Sequence, residues 1–155
     1  MQKRTVAKGF SLIELLFAGA LFVVFAWGVV DVLLSSLEAD RFGTETTIAT
    51  EYATEGIEAV RSLTAKNFDT LEAMNETGIV SNNNEWEFSG TENMLEKYKR
   101  VITITEVKRN GDGAIAEDGG SVDSDSWKVT VTVSWNVVAE RESSVSLDTY
   151  LTRYK

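Results

Sequence analysis

The sequence predicts an α+β fold, with one long helix packed by its second half across an antiparallel sheet of three or four strands. Three observations lead there. An apolar run from Phe10 to about Leu37 passes into an amphipathic segment with no proline to stop it. The last third of the chain holds period-two alternation of apolar and polar residues, the mark of strands with one buried face. The amphipathic helix has one apolar stripe and the sheet one apolar face, so each needs the other.

Taken in order, Met1 to Gly9 is short, basic and polar, with Lys3, Arg4 and Lys8 and no acid. Leu15 to Val30 contains no charged residue. That stretch is a little short of the ~20 residues needed to span a bilayer; Phe10 to Leu34 is long enough if Glu14 and Asp31 are tolerated. A basic block before the run and acids after it fit a cytoplasmic N-terminus. From Glu38 onward, Ile48, Tyr52, Gly56, Val60 and Leu63 step along one side, with Ala49, Ala53 and Ile57 beside them. Glu51, Thr54, Glu55, Glu58 and Arg61 fall on the other. The simplest reading is one helix from about Phe10 to Ala65, with Gly28, Gly43 and Thr44 to Thr50 as its weak points. Its first half then projects bare.

After Asn67 comes a polar connector containing Asn82, Asn83 and Asn84, then β-type sequence. Glu85 to Phe88 is a short strand candidate, and Tyr98 to Lys108 is rich in β-branched residues. Trp127 to Val138 gives the clearest alternation: Trp127, Val129, Val131, Val133, Trp135 and Val137 against Lys128, Thr130, Thr132, Ser134 and Asn136. Val145 to Tyr154 is a fourth candidate. Trp86, Trp127 and Trp135 are assigned to the sheet core, and Trp27 to lipid or neighbouring helices.

Composition narrows the function. The 155 residues include no cysteine and no histidine, which excludes Ser-His-Asp and Cys-His catalysis and removes the commonest zinc ligands. No carboxylate pair is singled out by spacing, so an enzyme is not expected. Net charge is −9, and the chain beyond Gly9 has 12 basic against 24 acidic residues. So acidic a remainder is unsuited to phosphate contacts, and no nucleic-acid partner is expected.

Glu14 is the anomaly, a carboxylate among Phe10, Leu12, Ile13, Leu15 and Leu16. A charge in that setting costs several kcal/mol and marks a functional position by default. The residues around it, Lys8-Gly9-Phe10-Ser11-Leu12-Ile13-Glu14-Leu15-Leu16, resemble the N-terminus of type IV pilins and of the pseudopilins of type II secretion. The resemblance covers some 25 residues and is specific for its length. It implies a pilin-like fold and a leader of residues 1–9, cut after Gly9 by a membrane prepilin peptidase that then N-methylates Phe10. It implies a membrane-spanning and filament-core helix over residues 10–37, and an extracytoplasmic globular domain over residues 38–155 that includes the second half of the helix. Glu14 matches the family's assembly glutamate. Once Gly9 is cut away, the α-ammonium of Phe10 and the carboxylate of Glu14 are two charges that low dielectric forces to pair, within one helix or between subunits.

Two departures bear on which member this is. The helix-bending proline and the C-terminal disulfide loop of many major pilins are both missing. With the resemblance of Glu51 to Leu63 and of the C-terminal strands to minor pilins, this makes a minor pilin the expectation, with a major pilin or a pseudopilin as the alternatives. The expected partners are prepilin peptidase, other pilin subunits, the inner-membrane assembly platform and, before assembly, membrane lipid. The expected location is the inner membrane, single-pass, and then the extracytoplasmic filament. A membrane-tethered binding domain that never polymerises is the competing reading of a different class.

Two features stay open. Asp31 either marks the outer membrane-water boundary or pairs with a basic group on a neighbouring subunit. The loop Asn110 to Ser126 carries Asp112, Glu117, Asp118, Asp123 and Asp125, the residues of a weak calcium candidate that lacks EF-hand spacing. Its other reading is a solvated acidic hairpin connection. No cofactor is expected.

Overall fold

The computed structural model describes Gly9 and residues 11–138 and 141–153. Helix α1 runs from Leu12 to Lys66 without interruption, and the chain divides into two compact units, the first ending at Phe42 and the second beginning at Gly43.

The first unit is the apolar part of α1. Its helix residues are exposed from Leu12 to Phe42, Ala26 alone being half-buried. The helix is long and apolar enough to cross a membrane. Ordinary globular helices bury a stripe, and this stretch has none.

The second unit holds the rest of α1, a short 3₁₀ turn (Phe68–Thr70) and eight strands: β1 (Met74–Thr77), β2 (Ile79–Asn82), β3 (Glu85–Phe88), β4 (Asn93–Leu95), β5 (Tyr98–Arg109), β6 (Ile115–Ala116), β7 (Ser121–Val138) and β8 (Arg141–Thr152). The fold is α+β, a long helix packed against an antiparallel sheet. Strands β5, β7 and β8 are its backbone, in the order β1-β5-β7-β8. The far side of β5 is tiled by three short strands: β4 opposite Tyr98 to Arg100, β1 opposite Ile102 and Ile104, and β6 opposite Lys108 and Arg109. The sheet thus has six strands rather than the three or four expected, because two- to four-residue strands are too short to show alternation.

Two further elements differ in detail from the sequence reading. The triple-asparagine connector is the turn of a hairpin joining β2 to β3, closed by Asn82 opposite Glu85. Asn83 and Asn84 take φ of 49° and 68°, the left-handed pair of a type I′ turn, which asparagine tolerates. Strand β7 begins at Ser121, six residues before Trp127, because its ladder with β5 resumes at Asp123 opposite Val107 beyond a bulge.

The core lies between α1 and one face of the sheet. Ala49, Ala53, Gly56, Ala59 and Val60 are buried on the helix, while Ile48, Tyr52 and Leu63 flank them half-buried. The small residues set the depth of the contact. A β-carbon on Gly56 would lie 2.9 Å from Val131 Cγ1 and 3.2 Å from Arg100 Cδ, so only glycine allows this approach. From the sheet come Tyr98, Ile102 and Ile104 of β5 and Val129, Val131, Val133 and Trp135 of β7, all buried. Trp135 is core as expected; Trp86 and Trp127 are half-buried against it. Gly43 and the threonine-rich stretch do not break the helix. Thr47, Thr50 and Thr54 turn their hydroxyls back to the carbonyls four residues earlier, satisfying themselves within the helix.

Two buried polar groups tie the helix to the sheet. Arg100, 1% exposed, donates to Tyr52 O at 3.1 Å, Glu55 Oε1 at 3.0 Å, Asn93 Oδ1 at 3.1 Å and Ile79 O at 3.3 Å. Glu45, buried on α1, accepts from Trp135 Nε1 at 3.0 Å and from Lys97 Nζ.

Candidate membrane and assembly segment

Helix α1 opens at Leu12, with Leu15 N–H donating to Ser11 O at 3.2 Å, so Ser11 is the residue before the first helical turn. Glu14 lies in that turn, exposed, where a carboxylate complements the positive end of the helix dipole. Ser11 and Glu14 also stand at the S-x-x-E spacing of a capping box, a local role that the sequence reading passed over. Gly9 is exposed, and a β-carbon there would meet nothing within 4 Å. Phe10 and the leader cations Lys3, Arg4 and Lys8 lie outside the described residues.

Along the apolar half the large hydrophobic side chains are between 41% and 78% exposed, Trp27 the most. Phe22, Val23, Ala26, Trp27, Val30 and Leu34 line a shallow apolar groove on the helix, and Asp31 is the polar member of that lining. This surface offers dispersion contact and little hydrogen bonding, which suits lipid tails or other helices.

The five acids of the 110–126 loop are not gathered. Asp112 Oδ1 accepts from Ala114 N–H at 3.2 Å, and Asp125 lies 3.4 Å from Arg153 Nε. Asp123 accepts from Arg109 Nε at 2.6 Å and from Asp125 N–H at 3.0 Å, while Glu117 and Asp118 are exposed. Among the described residues no three such groups are placed to hold a metal ion. Arg109 organises the loop instead, donating also to Gly113 O at 2.9 Å and Ser126 Oγ at 3.2 Å.

This arrangement predicts a pH response. The Arg109 guanidinium, with help from Ser126 and Asp125 N–H, holds the Asp123 carboxyl down from 3.8 to about 2. A carboxyl whose folded pKa is lowered stabilises the fold above its unfolded value and loses that contribution as pH falls through the folded one. The loss is therefore expected between pH ~4 and ~2. Acid unfolding of wild type and Asp123→Asn checks it: the variant's stability curve should be flatter across that window.

No protein-family model, curated protein or solved structure matches the chain.

Proposed function

We propose that the chain is a prepilin whose product is a structural subunit, a minor pilin, of a type IV pilus. On this reading the leader through Gly9 is removed by prepilin peptidase, Phe10 becomes the methylated N-terminus, and the apolar half of α1 holds the subunit in the inner membrane until it enters the filament. There the same surface packs among the helices of other subunits, and the acidic sheet unit faces outward. The chemistry of the chain is assembly rather than catalysis.

One observation carries the reading: a helix of membrane-spanning length, exposed along its apolar half, with a single carboxylate in its first turn, five residues beyond the expected cut. In an ordinary anchor that carboxylate serves only the start of its own helix. A subunit that must find one axial register has a further use for it. Before cleavage the Phe10 nitrogen is an amide; afterwards it is an ammonium, and Glu14 of a neighbouring subunit can neutralise it in low dielectric. The leader therefore keeps the assembly contact unavailable until processing.

The test is the mass of the protein recovered from its native membrane. The expected product begins at Phe10 and is one methyl group heavier than the bare chain from that residue. An intact Met1, or a cut elsewhere than after Gly9, overturns the reading in favour of a tethered domain that does not polymerise. A pseudopilin would give the same mass and is told apart by which filament contains it.

A further inference from the structure

Strand β8 ends the main sheet, and along its twelve residues it pairs only with β7 among the described residues. A long free edge is a template for another strand, and soluble proteins usually blunt it with proline, lysine, a bulge or a covering loop. The segment RESSVSLDTYLT contains no proline, glycine or lysine, and its ladder is regular from Glu142 to Thr152. Its inner-face residues Val145, Leu147 and Leu151 pack on the core yet remain only half-buried. The edge is thus unprotected in its backbone and incompletely covered in its apolar side chains.

We propose that β8 is a homotypic interface, pairing antiparallel with β8 of a second copy to continue the sheet across a twofold axis. Symmetry, overlap and charge select the register: an axis centred before Val145 or beyond Asp148 leaves five or more of the twelve residues of β8 unpaired. A twofold perpendicular to the sheet keeps inner residues opposite inner residues, so the axis passes through a residue position rather than between two. Centred on Val145, it sets Glu142 against Asp148; centred on Leu147, Arg141 against Arg153; centred on Asp148, that acid against itself. Each places like charges directly opposite, which is destabilising. Centred on Ser146, it pairs Ser144 with Asp148 and Glu142 with Tyr150, with no like charges opposed. It also sets Val145 against Leu147 of the second copy on the inner face, so the half-buried side chains cover one another. About ten main-chain hydrogen bonds would form along such a ladder. The interface uses no residue of the apolar half of α1, so it stands independently of the filament reading.

The absence of cysteine in the native chain makes a clean test. In the full chain in detergent, Ser146→Cys should form a disulfide dimer under mild oxidation, since opposed β-carbons lie ~5 Å apart. Ser144→Cys and Asp148→Cys should each stay monomeric alone, their own copies being displaced by ~13 Å along the strands, yet cross-link to each other when mixed. All three positions are exposed on the outer face, so the substitutions leave the core untouched. Homodimers of Ser144→Cys as abundant as those of Ser146→Cys would overturn the register and with it the proposal. So would a Ser146→Cys protein that remains monomeric while its thiol reacts freely with a maleimide.

Discussion

Replacing Arg100 by methionine is expected to lower the stability of the sheet unit by about 2 kcal/mol, the scale for leaving buried acceptors without their donor. Methionine keeps much of the apolar stem that packs beside Gly56, so the change removes mainly the donors. The four acceptors respond differently. Glu55 is 44% exposed and can turn to water at little cost. Tyr52 O belongs to the helix ladder. Ile79 is fully buried, and the donor its carbonyl loses cannot be replaced by solvent. Asn93 loses the contact that fixes its side chain, and with it the link from β4 to the helix. Arg100→Lys should fall between wild type and Arg100→Met, because a single ammonium cannot fork towards four acceptors set around a guanidinium plane. Urea unfolding followed by tryptophan fluorescence measures both. A loss below ~1 kcal/mol for Arg100→Met would mean that the network holds no more than ordinary hydrogen bonds do.

Arg100 also shows where sequence reading stops. Tyr98, Arg100, Ile102 and Ile104 share one face of β5 by parity alone, so a charged residue in the apolar row was visible in the sequence. Its acceptors were not. Tyr52 and Glu55 lie 48 and 45 residues away, and Ile79 lies 21 away, positions that only the packed fold brings together. The Glu45–Trp135 bond spans 90 residues and is illegible for the same reason. What could be read were the local periodicities: the helix to within two residues at its start, β3 at its ends, and the alternation of β5, β7 and β8. The short strands β1, β4 and β6 owe their existence to the edge of β5 rather than to their own sequences. The assembly motif is the opposite case. Lys8 to Leu16 is legible because it is contiguous, but the proposed partner of Glu14 belongs to another chain, so folding one copy adds only the helix start, which gives the S-x-x-E spacing its capping sense.

That capping spacing makes the choice of substitution at Glu14 decisive. On the proposed reading, Glu14→Ala should leave cleavage after Gly9 intact and abolish entry into filaments. An ammonium left unpaired in an apolar bundle costs several kcal/mol, at least a hundredfold in incorporation. Alanine also deletes any capping role, so by itself it cannot say which loss matters. Glutamine separates the two. Its side chain still fits the capping box, which accepts Glu or Gln at this position, but it carries no charge to neutralise an amine. Glu14→Gln should therefore behave like Glu14→Ala, processed to Phe10 yet absent from sheared filaments on immunoblot. If the glutamine variant enters filaments at wild-type level while the alanine variant does not, Glu14 serves the start of its own helix. The intersubunit ion pair is then wrong, even if the chain is a pilin. If both variants assemble normally, the carboxylate has no part in assembly and the anomaly that led to this function needs another explanation.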